Sequence, residues 1–480
     1  MHAKSQNPHG TMVALTMLIA GAVFLLMMAA GLVMRAAQGD LIEIGAELFY
    51  QLLSVHGAGM VGTAGLAGAG ILWFFLGRHV DLSGAAYRVF LGLFLLGVVF
   101  ILVAILVGGY GAAWTFLYPL PAVTGGVWEP WASVLFVLGY TSIGVGFLIF
   151  YLAVGHAVIT AYGGLVRALG WHVAFGGADP DEAPPPAVIA AATVTIFNSI
   201  GIVVGAAVLV VTLINLLVPG FSVDALLAKN MIYFFGHVFI NAAIYMSVIA
   251  VYEIVPEYTG RPWKSTRPFI LAWASILIFV MAVYPHHLLQ DVPMPPWALI
   301  IGQVASYLSG IPLLAVTAFG LCTYVRGSGM RWDLVSALLF LSVAGWSLGS
   351  VPAIIDAIVA VNKVMHNTQW VPGHFHMYLL LGTLAMNFGF MNWLVRRGHA
   401  EVSRFNGIEK LAFSTYVFGG VGFVVVFLVS GAQSVPRRWA VHAPEWLSQA
   451  QAGTAFAVLV ILGALAFFVR FAAGLRQPKN

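Results

Sequence analysis

Cysteine is almost missing from this chain. The single Cys322 excludes an internal disulfide, a CxxCH attachment for a c-type haem, and an iron–sulfur cluster held by this chain alone. Charge is scarce as well: Asp, Glu, Lys and Arg make up 8% of the 480 residues, too few to coat a soluble domain of this length. There is no tandem repeat and no low-complexity tract. The longest polar insertion, Gly176 to Pro186 with its Asp-Pro-Asp-Glu-Ala-Pro-Pro-Pro run, reads as a loop too short to fold alone, so a single domain over residues 1–480 is expected. The net charge of +4 gives no support to nucleic-acid binding.

What is plentiful is apolar. Hydrophobic residues make up 61% and the mean hydropathy is +0.96, which places the chain in a lipid bilayer. Twelve stretches are long enough to cross a hydrocarbon core of about 30 Å: residues 11–34, 49–77, 88–109, 131–160, 186–218, 229–256, 267–289, 297–324, 333–360, 369–395, 407–431 and 449–475. The expected fold is therefore an all-α polytopic membrane bundle of about 12 transmembrane helices. Trp114, Trp128, Trp131, Trp297, Trp370 and Trp439 stand near span ends, where aromatic belts form.

Loops rich in Lys and Arg stay on the cytoplasmic side. With the N-terminus inside, that side holds Lys4, Arg78, Arg88, Arg167, Arg261, Lys264, Arg267, Arg326, Arg331, Arg396, Arg397, Arg404, Lys410, Arg470, Arg476 and Lys479 of the 21 basic residues. The other side keeps Arg35, Lys229, Lys363, Arg437 and Arg438. Both termini are thus expected in the cytoplasm, with the chain in a bacterial-type inner membrane. The first apolar run has no small-residue cleavage site after it and reads as a membrane helix.

Of fourteen histidines, six fall in or at the ends of spans in a pattern. His56 is in the second span, in Ser54-Val55-His56-Gly57-Ala58-Gly59-Met60, where small neighbours leave room for a flat macrocycle. His237 is in the sixth. His286 and His287 follow Pro285 at the end of the seventh, and His374 and His376 begin the tenth. An i,i+2 pair on a helix turns about 200°, so His374 and His376 leave opposite sides and serve different ligands. His286 and His287 diverge by about 100° and could grip one ion only at a distorted helix end, which Pro285 supplies. With His237 they make a three-imidazole set suited to copper, iron or zinc, with coordination left open for a small ligand. Taken singly, each histidine is explained by a hydrogen bond to a carbonyl; taken together they describe metal sites.

These residues resemble subunit I of the haem–copper oxygen reductase superfamily, which includes the nitric oxide reductases. The similarity runs from the second span to the eleventh. Its most specific block, Val364 to His376 with His366-Asn367-Thr368-Gln369-Trp370-Val371-Pro372-Gly373-His374-Phe375-His376, looks like the B-type enzymes. Trp114-Thr115-Phe116-Leu117-Tyr118-Pro119, Gly236-His237, Pro285-His286-His287 and Pro436-Arg437-Arg438 also match. The resemblance implies that His56 and His376 are axial ligands of a low-spin haem and that His374 is the proximal ligand of a high-spin haem. It implies that His237, His286 and His287 hold one non-haem metal, copper slightly favoured over iron. It also implies that Arg437 and Arg438 bind haem propionates, since Arg pairs well with carboxylates.

One departure from the family pattern matters. Most oxygen reductases carry a tyrosine one helical turn after the first metal-binding histidine, where this chain has Asn241. The C-type enzymes bring it from the seventh span, where this chain has Val280. Cytochrome-c-type nitric oxide reductases need no redox tyrosine. Asn241 lies on the face of His237; its amide could ligate weakly, donate a hydrogen bond to substrate, or simply join two helices. Reduction of nitric oxide to nitrous oxide is therefore expected, with reduction of O₂ to water as the alternative if Tyr245, Tyr284 or Tyr307 reaches the site. A non-enzymatic twelve-span carrier shares only the span count.

For protons, Tyr252 and Ser306 match the B-type channel, while Leu313 and Val316 replace hydroxyl residues there; Glu253 could mark an entrance. Glu43, Glu47 and Glu129 could serve the other side, although surface solvation explains each. Electrons imply a partner: by the resemblance, a second subunit with a periplasmic cupredoxin or cytochrome c domain docking near Arg437 and Arg438, with His366 and Asn362 lining the contact.

Overall fold

A computed structural model describes residues 10–218, 220–396 and 405–476. Lys4, Arg397, Arg404 and Lys479, used above for orientation, lie outside the described residues. Twelve helices are long and apolar enough to span a membrane: α1 Gly10–Gln38, α2 Ala46–Leu76, α3 Gly84–Leu106, α4 Pro130–Tyr162, α5 Pro186–Leu217, α6 Ala225–Thr259, α7 Arg267–Leu288, α8 Pro296–Val325, α9 Leu334–Asp356, α10 Trp370–Arg396, α11 Gly407–Ala432 and α12 Pro444–Leu475. The expected spans match these within a few residues. The largest shift is in α12, which begins at Pro444 and not 449 because a 3₁₀ turn, Pro444–Trp446, precedes its apolar run. Among the described residues the only β pairing is an isolated bridge between Thr368 and Pro436.

Local chemistry sets the helix ends. Asp224 caps α6 by accepting from Leu227 N at 2.7 Å, and Asp333 and Asn406 form capping boxes at the starts of α9 and α11, each satisfying donors that a helix leaves open. Gly163 and Gly260 end α4 and α6 in the left-handed conformation, which a Cβ disfavours.

Burial is uneven, and the unevenness points to the centre. In their most apolar stretches α2, α6 and α10 are buried over 83%, 78% and 83% of positions, against 17% for α8. These three inner spans carry His56, His237, His374 and His376. Besides α12, three spans also depart from regular α geometry. α7 ends in a 3₁₀ turn, Tyr284–Leu288, and wider π turns occupy Ala315–Phe319 of α8 and Met377–Leu384 of α10. Such turns shift the phase of the side chains that follow and are frequent at functional sites.

Candidate metal centre

A cavity of about 530 Å³ runs between α1, α2 and the spans from α6 to α12, and all six histidines line it, together with Asn241, Arg437 and Arg438. The six divide into two groups and a singleton.

His56 and His376 face one another with ring centres 6.3 Å apart and planes inclined by 21°. His56 Nδ1 donates to Met27 O at 2.7 Å and His376 Nδ1 to Pro372 O at 2.6 Å, which fixes both tautomers and leaves each Nε2 lone pair free. Two metal–nitrogen bonds of about 2 Å, with about 1.1 Å from each nitrogen to its ring centre, amount to about 6.2 Å. A single metal ion held between the two rings would fit the observed spacing. Room beside His56 comes from α1: a Cβ on Gly31 would lie 2.9 Å from the imidazole. The glycines of α2 do something else. A Cβ on Gly57 would strike the Trp114 indole at 2.3 Å and one on Gly59 the Met27 thioether at 2.3 Å, so these small residues also seat protein side chains, and Gly57 lines the cavity as well. Trp114 lines the cavity.

His237, His286 and His287 present ring nitrogens that all lie within 4.8 Å of one another. His237 Nδ1 and His287 Nε2 are 3.3 Å apart, about the separation of two ligands at about 2.0 Å on one tetrahedral ion. Ser306 gives its proton to Gly302 O at 2.6 Å, so it accepts from His286 Nδ1–H at 2.8 Å and leaves His286 Nε2 as the ligating atom. The 3₁₀ turn after Ala282 brings the consecutive pair together, as the proline had suggested. His374 is the singleton; its Nδ1 lies near the Trp370 carbonyl without completing a hydrogen bond.

Asn241 Nδ2 donates to His237 O at 2.9 Å within α6, so the residue joins no second helix. At the end of the cavity away from α10's Arg396, Thr368 bridges to Pro436 and Arg437 N donates to Asn367 O at 2.9 Å, holding the histidine block against the arginine pair. Arg438 is held there at φ +63°, an uncommon conformation for a residue with a Cβ. Among the described residues neither arginine has a carboxylate within ion-pair distance. Burial and the adjacent Arg438 push Arg437 down to about 10, so it still carries its charge at neutral pH. Two unneutralised cations suit an anionic ligand such as a carboxylate.

Other expectations are revised. Asn362 is only 1% exposed; its side-chain amide donates to Asp356 O at 2.8 Å and its backbone carbonyl accepts from Gln290 Nε2 at 2.6 Å, so it braces the interior and cannot line a docking contact. Glu253 is ion-paired to Arg78 at 3.1 Å and His79 at 3.1 Å, and no hydrogen bond joins it to Tyr252. Glu43, Glu47 and Glu129 are exposed and do not line the cavity. Tyr245 and Tyr307 do line it, while Tyr284 donates to Asn230 Oδ1 at 3.1 Å outside it.

The sequence profile of the family described as Cytochrome C and Quinol oxidase polypeptide I matches residues 11–466. The chain belongs to this family. It is 26% identical to cytochrome c oxidase subunit 1 of Thermus thermophilus over 269 residues, covering 52% of this chain and 48% of that one. It is 30% identical to cytochrome c oxidase subunit 1 of Rhodobacter capsulatus over 149 residues, covering 31% and 28%. The chain thus spans about half the length, or less, of these curated relatives. A solved heme-copper terminal oxidase dimer superposes with a TM-score of 0.80 at 21% identity, covering 98% of this chain and 85% of the other, a likeness of fold.

Four residues of this family member take roles that the sequence did not suggest for them. Tyr233 lies flat on His287, ring centres 5.1 Å apart at 14°; it stands one turn before His237, a spacing that places it on the same face. Ser306 orients a candidate ligand. Thr317 shares a 2.7 Å hydrogen bond with Tyr252 and lines the cavity, because the π turn at Ala315–Phe319 alters which side chain faces inward. Arg35, counted above only as a stray cation, is 3% exposed, lies over the Phe427 ring at 4.7 Å, bonds Gln38 at 3.1 Å and lines the cavity.

Proposed function

We propose that this chain, one domain over residues 1–480, is the catalytic subunit of a membrane reductase for nitric oxide: 2 NO + 2 e⁻ + 2 H⁺ → N₂O + H₂O. The observation that carries this reading is Asn241. It stands on the cavity side of α6, one turn after His237, where oxygen reductases of the family carry tyrosine, and an amide cannot donate one electron as a phenol does.

In this reading His56 and His376 hold a low-spin haem, His374 holds a high-spin haem, and Arg437 and Arg438 hold propionates. His237, His286 and His287 hold the non-haem metal. Three imidazoles without a carboxylate favour copper. When bound, these groups supply the two electrons and hold the two diatomic molecules side by side. The chain's own part is placement. Ser306 fixes the tautomer of His286, and Tyr233 fixes the plane of His287. The second N–H of Asn241, beyond the one used by His237 O, is free to orient a small polar substrate. Protons reach the cavity through the Tyr252–Thr317 hydroxyl pair. Ser306, which the sequence reading counted in this path, serves instead as the brace for His286. Electrons come from a partner subunit with a cupredoxin or cytochrome c domain on the Arg437 side, and both termini lie in the cytoplasm.

Oxygen reduction is the second reading. It is favoured by the names of the curated relatives and by Tyr233 and Tyr245, phenols that line the same cavity. The deciding experiment is turnover of one purified complex with NO and with O₂, with N₂O measured as product. N₂O formation well above O₂ consumption supports the first reading; rapid O₂ turnover with little N₂O reverses it.

A further inference from the structure

Five oxidisable rings form an unbroken run from the cavity to one end of the bundle. Tyr245 lines the cavity. Its ring meets Trp273 with centres 5.8 Å apart, Trp273 meets Tyr252 at 6.4 Å, Tyr252 meets Trp263 at 5.0 Å, and Trp263 stacks on Tyr324 at 4.6 Å and 27°. The first four are buried. Tyr324 is half-buried at the end of α8, its hydroxyl accepting from Lys264 N at 3.0 Å and its carbonyl from Arg261 at 3.2 Å. The residues come from α6, α7, the loop between them and α8, so the run is a product of tertiary packing and not of one helix face. Indole and phenol are the most easily oxidised aromatic side chains, whereas the phenylalanines packed beside this run, such as Phe197 against Tyr245 and Phe269 against Tyr252, are inert to one-electron oxidation.

We propose that Tyr245, Trp273, Tyr252, Trp263 and Tyr324 conduct oxidising equivalents out of the cavity, protecting the site when it meets peroxide. The chemistry balances. Hydrogen peroxide reduced in the cavity takes two electrons and two protons to give two waters. The electrons arrive one at a time along the run. At its outer end Tyr324 gives up an electron inward and its phenolic proton to water. A thiol outside the protein returns a hydrogen atom to the tyrosyl radical, and two thiols end as a disulfide: H₂O₂ + 2 RSH → RSSR + 2 H₂O. The run rests on the reading that the cavity holds haem, but not on the choice of nitric oxide as substrate.

The test uses the haem-loaded complex, hydrogen peroxide and a nitroso spin trap, with adducts mapped by mass spectrometry of peptides. An adduct on Tyr324 is expected in the native protein. In Trp263→Phe it is lost, the haem spectrum is unchanged, and oxidation products accumulate at Tyr245 and Trp273. Undiminished labelling of Tyr324 in Trp263→Phe, or no Tyr324 adduct in the native protein while other tyrosines are labelled, overturns the proposal. If Trp263→Phe does not fold, Tyr324→Phe serves: an oxidised Trp263 peptide supports the run, and an unmodified Trp263 overturns it. A complex without any haem spectrum instead overturns the functional reading on which the run depends.

Discussion

Arg396 and Arg437 are guanidiniums near opposite ends of α10, and they differ in what neutralises them. Arg396 donates to Asp333 Oδ2 at 2.6 Å and Glu409 Oε1 at 2.6 Å. Arg470 adds a second cation to Glu409 at 2.8 Å, and Tyr258 donates to Asp333 at 2.8 Å. Both carboxylates are almost fully buried. Two acids and two bases thus cancel within the protein, tying α9, α10, α11 and α12 together. Arg437 and Arg438 line the cavity with no carboxylate at ion-pair distance among the described residues; Asp356 acts on Arg437 only from farther off. The first cluster completes itself; the second is built to be completed by something that is not protein. The same contrast holds among the histidines. His79 pairs with Glu253 at 3.1 Å, whereas the six span histidines have no carboxylate partner among the described residues, and five of them converge in two sets.

The largest effect is expected from His237→Ala, which removes one of three ligands: turnover with NO falls to background and the non-haem metal is lost, as measured by gas consumption and elemental analysis. Next comes the charge contrast. Arg396→Leu strands Asp333 in the interior, leaves Glu409 with Arg470 alone, and is expected to cost about 3–5 kcal/mol of stability, read by thermal or denaturant unfolding in detergent. Arg437→Leu strands no chain carboxylate at ion-pair distance. The haem-free protein should lose less than about 1 kcal/mol, while the loaded protein releases haem more readily. Equal destabilisation by the two substitutions would erase the distinction between the clusters.

A smaller effect is expected from Ser306→Ala. It frees the second nitrogen of His286 and should weaken metal binding roughly 10–100-fold, measured by chelator competition, with the haem spectrum unaltered. An unchanged metal affinity would assign the serine to proton supply alone. The smallest change is expected from Asn241→Tyr, which restores the phenol one turn after His237. It should raise O₂ reduction relative to NO reduction without altering haem content, as gas-electrode traces on the same preparation will reveal.

Much of this was legible in the sequence because its physics is one-dimensional. A stretch long and apolar enough to cross a bilayer is a property of consecutive residues, and so is the spacing of His374 and His376 on one helix. The six imidazoles were found for the same reason, since ionisable side chains within apolar runs stand out on sight. What escaped depends on packing between distant segments. The glycines beside His56 read as space for a macrocycle, yet Trp114 and Met27 also pack against them from other parts of the chain. Thr317 was hidden by a π turn, which shifts the phase that regular helical spacing assumes. Tyr233 shares the helix face of His237, but its stacking on His287 depends on how α7 packs against α6.

The central claim is that the converging imidazoles and the unneutralised arginines are completed by metal and haem. The most direct measurement is metal and haem stoichiometry on the purified complex, with low-temperature magnetic spectra of the native protein and of His376→Ala. The account predicts that this chain holds two haem irons and one further metal, with a bis-histidine low-spin signal that disappears in His376→Ala while the high-spin signal remains. A single haem per chain, or a low-spin signal that survives the substitution, would contradict it.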